Sequence, residues 1–336
     1  MNVSQFNRLQ YDATWRNLAR KLRAIEAGDG LPVALKTLYE LQLDLGFIQD
    51  DLASLEYYTF RDPENNARFF SVQYNPMRQQ RFRGAGRTDP PTGVSVDNDG
   101  CFLCRSNIQW QQRGTEFGYP VMVGATDYIA WMNPYPLLPL HAVIATRDHV
   151  PQNWNSGTFD IRKILSDLVS LATRLPGFVG FYNGEGAGTS IPGHFHFQFF
   201  KRRSSSARFA LEVAAAKQAN GKIDYPVTVK HWHGHSREII DSAERWAMQW
   251  QQSFPEDAGN ISANIFACCD NEQDEVQLYF VPRDQTRAFS SEMSGMIGGL
   301  EILGELVFSK EEEKQRLDQG EVNYHTVERV LSSIRV

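Results

Sequence analysis

His194, His196 and Gln198 occupy alternate positions in the run GHFHFQFFKR, with Phe195, Phe197 and Phe199 between them. On a β-strand successive side chains point to opposite faces, so this spacing lines two imidazoles and an amide along one face and three aromatic rings along the other. An imidazole can attack phosphorus when its far nitrogen carries the proton, held by a carbonyl. Upstream, residues 183–193 (NGEGAGTSIPG) are glycine-rich and follow an apolar, strand-like run at 177–182. The order strand, glycine-rich turn, strand places backbone N–H groups beside the imidazoles, and such a concavity can hold phosphate. Two histidines decorating a solvated hairpin is the bland alternative. The terminal Gln198, the glycines and Asn183 at the loop entrance weigh against it.

The elements that must position this row fit an ordinary globular chain. Its 336 residues, 42% of them hydrophobic, suffice for one large or two ordinary domains. No run approaches the apolar length needed to cross a bilayer, and the opening residues lack the basic start and apolar stretch of a secretory signal. A cytoplasmic protein is expected. The formal net charge of −6 argues against non-specific nucleic-acid binding, while small anionic ligands need only local positive groups. Four cysteines at 101, 104, 268 and 269 make no disulfide framework, and the adjacent pair reads as core. Cys101 and Cys104 form a C-x-x-C, which is redox-active, half of a metal site, or simply reduced core. His149, in RDHVPQ, and His194 are the candidates to complete four ligands.

Along the chain, residues 4–60 carry helical periodicity broken at 28–30, and 67–74 reads as a strand. Residues 79–98 form a loop whose Arg81, Arg83 and Arg87 are either a solvated linker or an arm that meets polyphosphate. Residues 119–145 read as two strands around an Asn-Pro-Tyr-Pro turn, and 159–174 as a crossover helix stopped by Leu-Pro-Gly. A helix at 207–219 and a strand at 225–229 precede His231, His233 and His235, which read as incidental residues of a surface turn. Residues 236–252 are helical, 254–259 a linker, and strand, turn, strand recurs from 260. That rhythm echoes 119–145 and indicates a weak internal repeat. Arg283 and Arg287 at its end either reach a phosphate or lie on the surface; 294–308 and 326–334 read as helical.

The His-Phe-His-Phe-Gln run with its upstream glycine loop resembles the histidine triad superfamily. With Gln in third place it is similar to the branch of galactose-1-phosphate uridylyltransferases, diadenosine tetraphosphate phosphorylases and GDP-galactose phosphorylases. Where relatives place Pro between the histidines or an acidic residue before the first, this chain has Phe195 and Gly193. The resemblance implies an α+β fold of two similar halves, with an antiparallel sheet flanked by helices and an N-terminal helical segment. The corresponding boundaries are 1–66 for that segment, 67–253 for the catalytic half and 254–336 for a degenerate second half. It also implies a nucleotidyltransferase in which His196 carries the nucleotide covalently and Gln198 binds the α-phosphate. Gln cannot shuttle a proton as a third His can, so transfer to an acceptor is implied rather than hydrolysis. Gly186, Gly188 and Ser190 would hold phosphate oxygens, Asn183 the loop or the ribose. Asn75, Arg78 and Asn133 fall in segments that contact ligand in the family, and Arg283 joins them as a phosphate candidate. Cys101, Cys104, His149 and His194 would hold a structural zinc. The implied substrates are a dinucleoside polyphosphate or nucleotide sugar, with phosphate or a sugar phosphate as acceptor and no nucleic-acid or membrane partner. Hexose-1-phosphate uridylyl transfer, or a nucleotide sensor without turnover, are the alternatives.

Overall fold

A computed structural model describes residues 7–49, 52–79, 90–154, 159–218, 221–253, 261–270 and 275–336. Arg81, Arg83, Arg87 and the linker at 254–259 lie outside the described residues. Two helices open the chain, α1 (Arg8–Asp29) and α2 (Leu31–Asp44), the first begun by Asn7, whose side chain accepts from the Gln10 amide at 3.1 Å. The predicted break at 28–30 is where they part. The helical reading to residue 60 fails: β1 (Glu56–Arg61) is a strand paired antiparallel with β2 (Phe69–Tyr74). Its sequence EYYTFR is rich in aromatic and β-branched residues, which suit a half-buried pleated surface.

Residues 119–146 form three strands where two were expected, β3 (Tyr119–Val123), β4 (Thr126–Met132) and β5 (Ala142–Thr146). Gly124, with φ of 57°, makes the tight turn within what reads as one apolar run. A short helix α3 (Arg105–Gln111) precedes them, and α4 (Ile161–Arg174) leads into β6 (Phe178–Asn183) and β7 (His196–Lys201). Next come α5 (Ala210–Ala216), β8 (Lys230–His235), α6 (Ser236–Gln252), β9 (Ile261–Cys269) and β10 (Glu275–Asp284). The chain closes with α7 (Gly299–Ile302), β11 (Glu305–Phe308), α8 (Glu311–Asp318) and α9 (Tyr324–Ser332). Residues 294–308, expected to be helical, are therefore mostly a loop and a strand; β11 pairs parallel with β2.

One antiparallel sheet of eight strands, in the order β3-β4-β5-β7-β6-β9-β10-β8, spans both halves, and β1-β2-β11 make a second, smaller sheet. The fold is α+β. β6, which leads into the glycine loop, pairs antiparallel with β9. The histidines at 231, 233 and 235 lie on β8, an edge strand paired with β10, rather than in the expected turn. His231 stacks on Tyr279 and meets Gln277 at 2.6 Å.

The large sheet separates two cores. Phe195, Phe197 and Phe199 face helices α1, α2, α4 and α6, whereas Phe200, Val179 and Phe181 face the small sheet and α5, α7, α8 and α9. Alternation therefore sends His196 and Gln198 toward the small sheet, as the sequence pattern predicts. Cys268 and Cys269 are buried in opposite cores for the same reason. No helix among the described residues is long and apolar enough to cross a membrane.

Candidate active site

His196 is 3% exposed and its Nδ1 lies 2.8 Å from the carbonyl oxygen of His194. A carbonyl only accepts, so Nδ1 carries the proton and the neutral ring has its lone pair on Nε2. This is the tautomer that a nucleophilic imidazole requires. Gln198 is fixed by a second chain of donors. The Leu137 amide donates to Nδ1 of the fully buried His141 at 3.3 Å, which leaves the proton on Nε2. That Nε2 donates to Gln198 Oε1 at 2.9 Å, so Gln198 presents its amide N–H groups to whatever lies beyond.

Beyond it is a cavity lined by Arg78, Asn183, Gly188, Ser190 and Gln198 from the first half. Its opposite wall comes from the loop around Gly295, from Gly298 and Gly299, and from Glu301 of α7, whose carboxyl burial pushes upward in pKa. Arg78 reaches across to donate to the Tyr135 carbonyl at 2.9 Å. The glycines of the loop permit this closure. Gly188, at φ of 90°, lies so near Gly298 that a Cβ would stand 2.3 Å from its Cα; at Gly186, φ of 66°, it would stand 2.5 Å from the Gln285 Cα.

Four predicted contacts do not line it: Gly186 packs on Gln285, and the other three are buried behind the wall. Asn75 is 0% exposed and reaches the Pro136 carbonyl; Asn133 accepts the Tyr135 amide at 3.0 Å and closes its own turn. Arg283 is 1% exposed and bonds within the second half. All three are enclosed by the packing of the strands that carry them, so they shape the site through neighbours.

Gln152 stands at no spacing that marks it in the sequence. Fully buried, its side chain accepts the His196 amide at 2.7 Å and donates to the carbonyls of Asn183 and His196, both at 2.9 Å. The register of β6 on β7 ends at Phe181 opposite Gln198, so this amide replaces the ladder where the two strands part around His196. Gln152→Leu would leave three buried backbone groups unpaired, at about 1–3 kcal/mol each. We expect the thermal midpoint to fall by about 5 °C or more. Calorimetric melting of the variant beside the parent checks this, and an unchanged midpoint would show that the strands do not depend on this amide.

On the far side of the histidine pair, Cys101 Sγ, Cys104 Sγ, His149 Nδ1 and His194 Nδ1 lie within 4.8 Å of one another. Cys101 and Cys104 stand 3.4 and 3.6 Å from His194 Nδ1, and Cys104 stands 3.4 Å from His149 Nδ1. A tetrahedral zinc, with bonds of about 2.3 Å to sulfur and 2.0 Å to nitrogen, separates its ligands by about 3.3–3.8 Å, so the four fit. His194 Nε2 donates to the Thr146 carbonyl at 2.8 Å, which turns the Nδ1 lone pair toward the thiols. Donation from Cys104, with the contact to His194, draws the Cys101 thiol below its ordinary range against the effect of burial.

A family profile described as a domain of unknown function (DUF4922) matches residues 38–201, ending at the last residue of β7. No curated protein matches the sequence. Among solved structures, yeast Ap4A phosphorylase Apa2 aligns over 89% of this chain and 97% of its own, with 16% identity and a TM-score of 0.55. The chain has the fold of yeast Ap4A phosphorylase. The same enzyme in complex with Ap4A aligns over 89% and 97%, at 15% identity and a TM-score of 0.54. An ADP-glucose phosphorylase from Arabidopsis thaliana aligns over 84% and 99% at 14% identity, with a TM-score of only 0.33. The strand carrying His196 and Gln198 is the fourth of the eight in the large sheet, between β5 and β6.

Proposed function

We propose that the chain is a nucleotidyltransferase of the phosphorylase type. It takes a nucleoside monophosphate from a dinucleoside polyphosphate or nucleotide sugar and passes it to inorganic phosphate through His196. The observation that carries this reading is the His196 tautomer, with Nδ1–H held by the His194 carbonyl. Support comes also from the cavity at Gln198, two residues along the strand, which combines one guanidinium with two amides and a glycine loop, and from likeness in fold to an enzyme known in complex with AMP and with Ap4A.

In the first step His196 Nε2 bonds to the α-phosphorus, and the bond from phosphorus to the bridging oxygen breaks, releasing the remaining polyphosphate or the sugar phosphate. Gln198 N–H and Arg78 meet the charge that develops on the phosphoryl oxygens. Phosphate then attacks the same phosphorus, the N–P bond breaks, and the ring returns to its starting tautomer with Nδ1 protonated throughout. No general base is needed, which suits a third position held by Gln198. Cys101, Cys104, His149 and His194 would hold zinc, a closed four-ligand site that supplies rigidity only.

Intact-protein mass after brief incubation without acceptor, with diadenosine tetraphosphate, GDP-hexose and UDP-hexose in turn, tests the proposal. We expect a gain of one nucleoside monophosphate with one of these donors, discharged by phosphate. Binding of every donor without an adduct would favour a nucleotide sensor.

A further inference from the structure

Arg283 on β10 is the most enclosed cationic group near the site. Nη1 donates to Asn264 Oδ1 at 2.6 Å and to the Ile297 carbonyl at 3.0 Å, and Nη2 donates to the Arg287 carbonyl at 3.1 Å. Nε is buried without a hydrogen-bond partner, and among the described residues no carboxylate oxygen lies within 4 Å of the guanidinium. Burial draws its pKa down to about 10, so it stays charged at neutral pH. Glu301 and Asp284 act on this charge without a direct ion pair, and with three neutral acceptors they only partly offset its burial.

The direction of its hydrogen bonds explains what it does. A guanidinium only donates, so Asn264, itself 0% exposed, must turn Oδ1 to Arg283 and Nδ2 away. That Nδ2 donates to Asn183 Oδ1 and to the Ala187 carbonyl, both at 2.8 Å. Asn183, with its oxygen so engaged and Nδ2 also donating to the Gly188 carbonyl at 3.5 Å, has only its remaining N–H for the cavity it lines. The relay ends as the one through His141 ends at Gln198, in an amide able only to donate.

We infer that Arg283 is a positioning residue for phosphoryl recognition: from the second half, through Asn264, it fixes Asn183 as a donor and sets a positive charge behind the glycine loop. The inference rests on the reading of the cavity as a phosphoryl site. Its ligand class is polyphosphate, recognised by charge and acceptor oxygens rather than by a base.

Asn264→Asp tests it, because the carboxylate pairs with Arg283, forces Asn183 to donate backwards and turns its oxygen to the cavity. We expect inorganic tripolyphosphate to bind at least 10-fold more weakly by calorimetry, and labelling of His196 to slow at least 10-fold. Unchanged tripolyphosphate binding and labelling would overturn the inference. Should that variant fold poorly, Arg283→Lys and Arg283→Met decide: Lys, keeping the charge, retains tripolyphosphate affinity within 3-fold while Met loses 10-fold or more. Equal losses would reduce Arg283 to a structural role. Failure of the parent protein to form any adduct would count against the transferase reading, whereas the tripolyphosphate comparison reads the relay by itself.

Discussion

Replacing His196 with alanine is expected to abolish the covalent adduct and to lower turnover at least ~10³-fold, about 4 kcal/mol in barrier height. Without the imidazole, phosphate would have to attack the α-phosphorus directly, anion on anion, across a cavity whose donors are placed for a transferred group already in reach. The loss should fall on turnover rather than on donor binding, because Arg78, Asn183 and Gln198 all remain. His196→Gly sharpens the test: added imidazole can enter the space left behind and restore part of the rate, with a soluble nucleotidyl-imidazole as product. The backbone at 196 is held by Gln152 rather than by the ring, so both variants should keep the strand in place. Turnover of His196→Ala within 10-fold of the parent would mean single-step transfer and would remove the covalent intermediate from the mechanism.

What the sequence makes legible is periodic. The alternation forecasts that the phenylalanines share one face, and Phe195, Phe197 and Phe199 lie in one core while Phe200 lies in the other; His194, ahead of β7, turns to Cys101 and Cys104 instead of joining Gln198. The four metal candidates are scattered over 94 positions from Cys101 to His194, yet the structure brings them within bonding range of one ion. Three-dimensional bonds from single residues leave no such trace. Gln152 and Asn264 are lone buried amides, at no diagnostic spacing from the site, and their importance appears only once Asn183 and His196 are beside them. The far wall, Gly295 to Glu301, reads as helix because its apolar residues recur at helical intervals; tertiary packing on the first half shortens that helix to Gly299–Ile302. The edge strand with His231, His233 and His235 looks like a turn for a related reason: Gly234 and polar residues mark it locally, and only pairing with β10 makes it a strand.

Removing the metal site should act on the nucleophile as well as on stability. His194 ties three things together: Nδ1 faces the cysteines, Nε2 donates to the Thr146 carbonyl, and its own carbonyl holds His196 Nδ1. The segment from Thr146 to Gln152 clasps the same strand from the other side, with Phe195 donating to the Val150 carbonyl at 2.6 Å and Gln152 to that of Pro192 at 2.8 Å. His149 lies within that segment, so one ion would bind both jaws of the clasp. We therefore expect Cys104→Ala, or prolonged chelation, to lower the thermal midpoint by on the order of 10 °C and to slow nucleotidylation of His196 at least 10-fold. Zinc returned to the chelated parent should restore both, and metal analysis of the purified chain should find one equivalent. Cys268→Ala is the control, since that thiol is equally buried yet lies beside Glu212 and outside the cluster. A chain that purifies without metal and labels at full rate would make Cys101 and Cys104 a reduced core pair, and would leave the His196 tautomer to the His194 carbonyl and Gln152 alone.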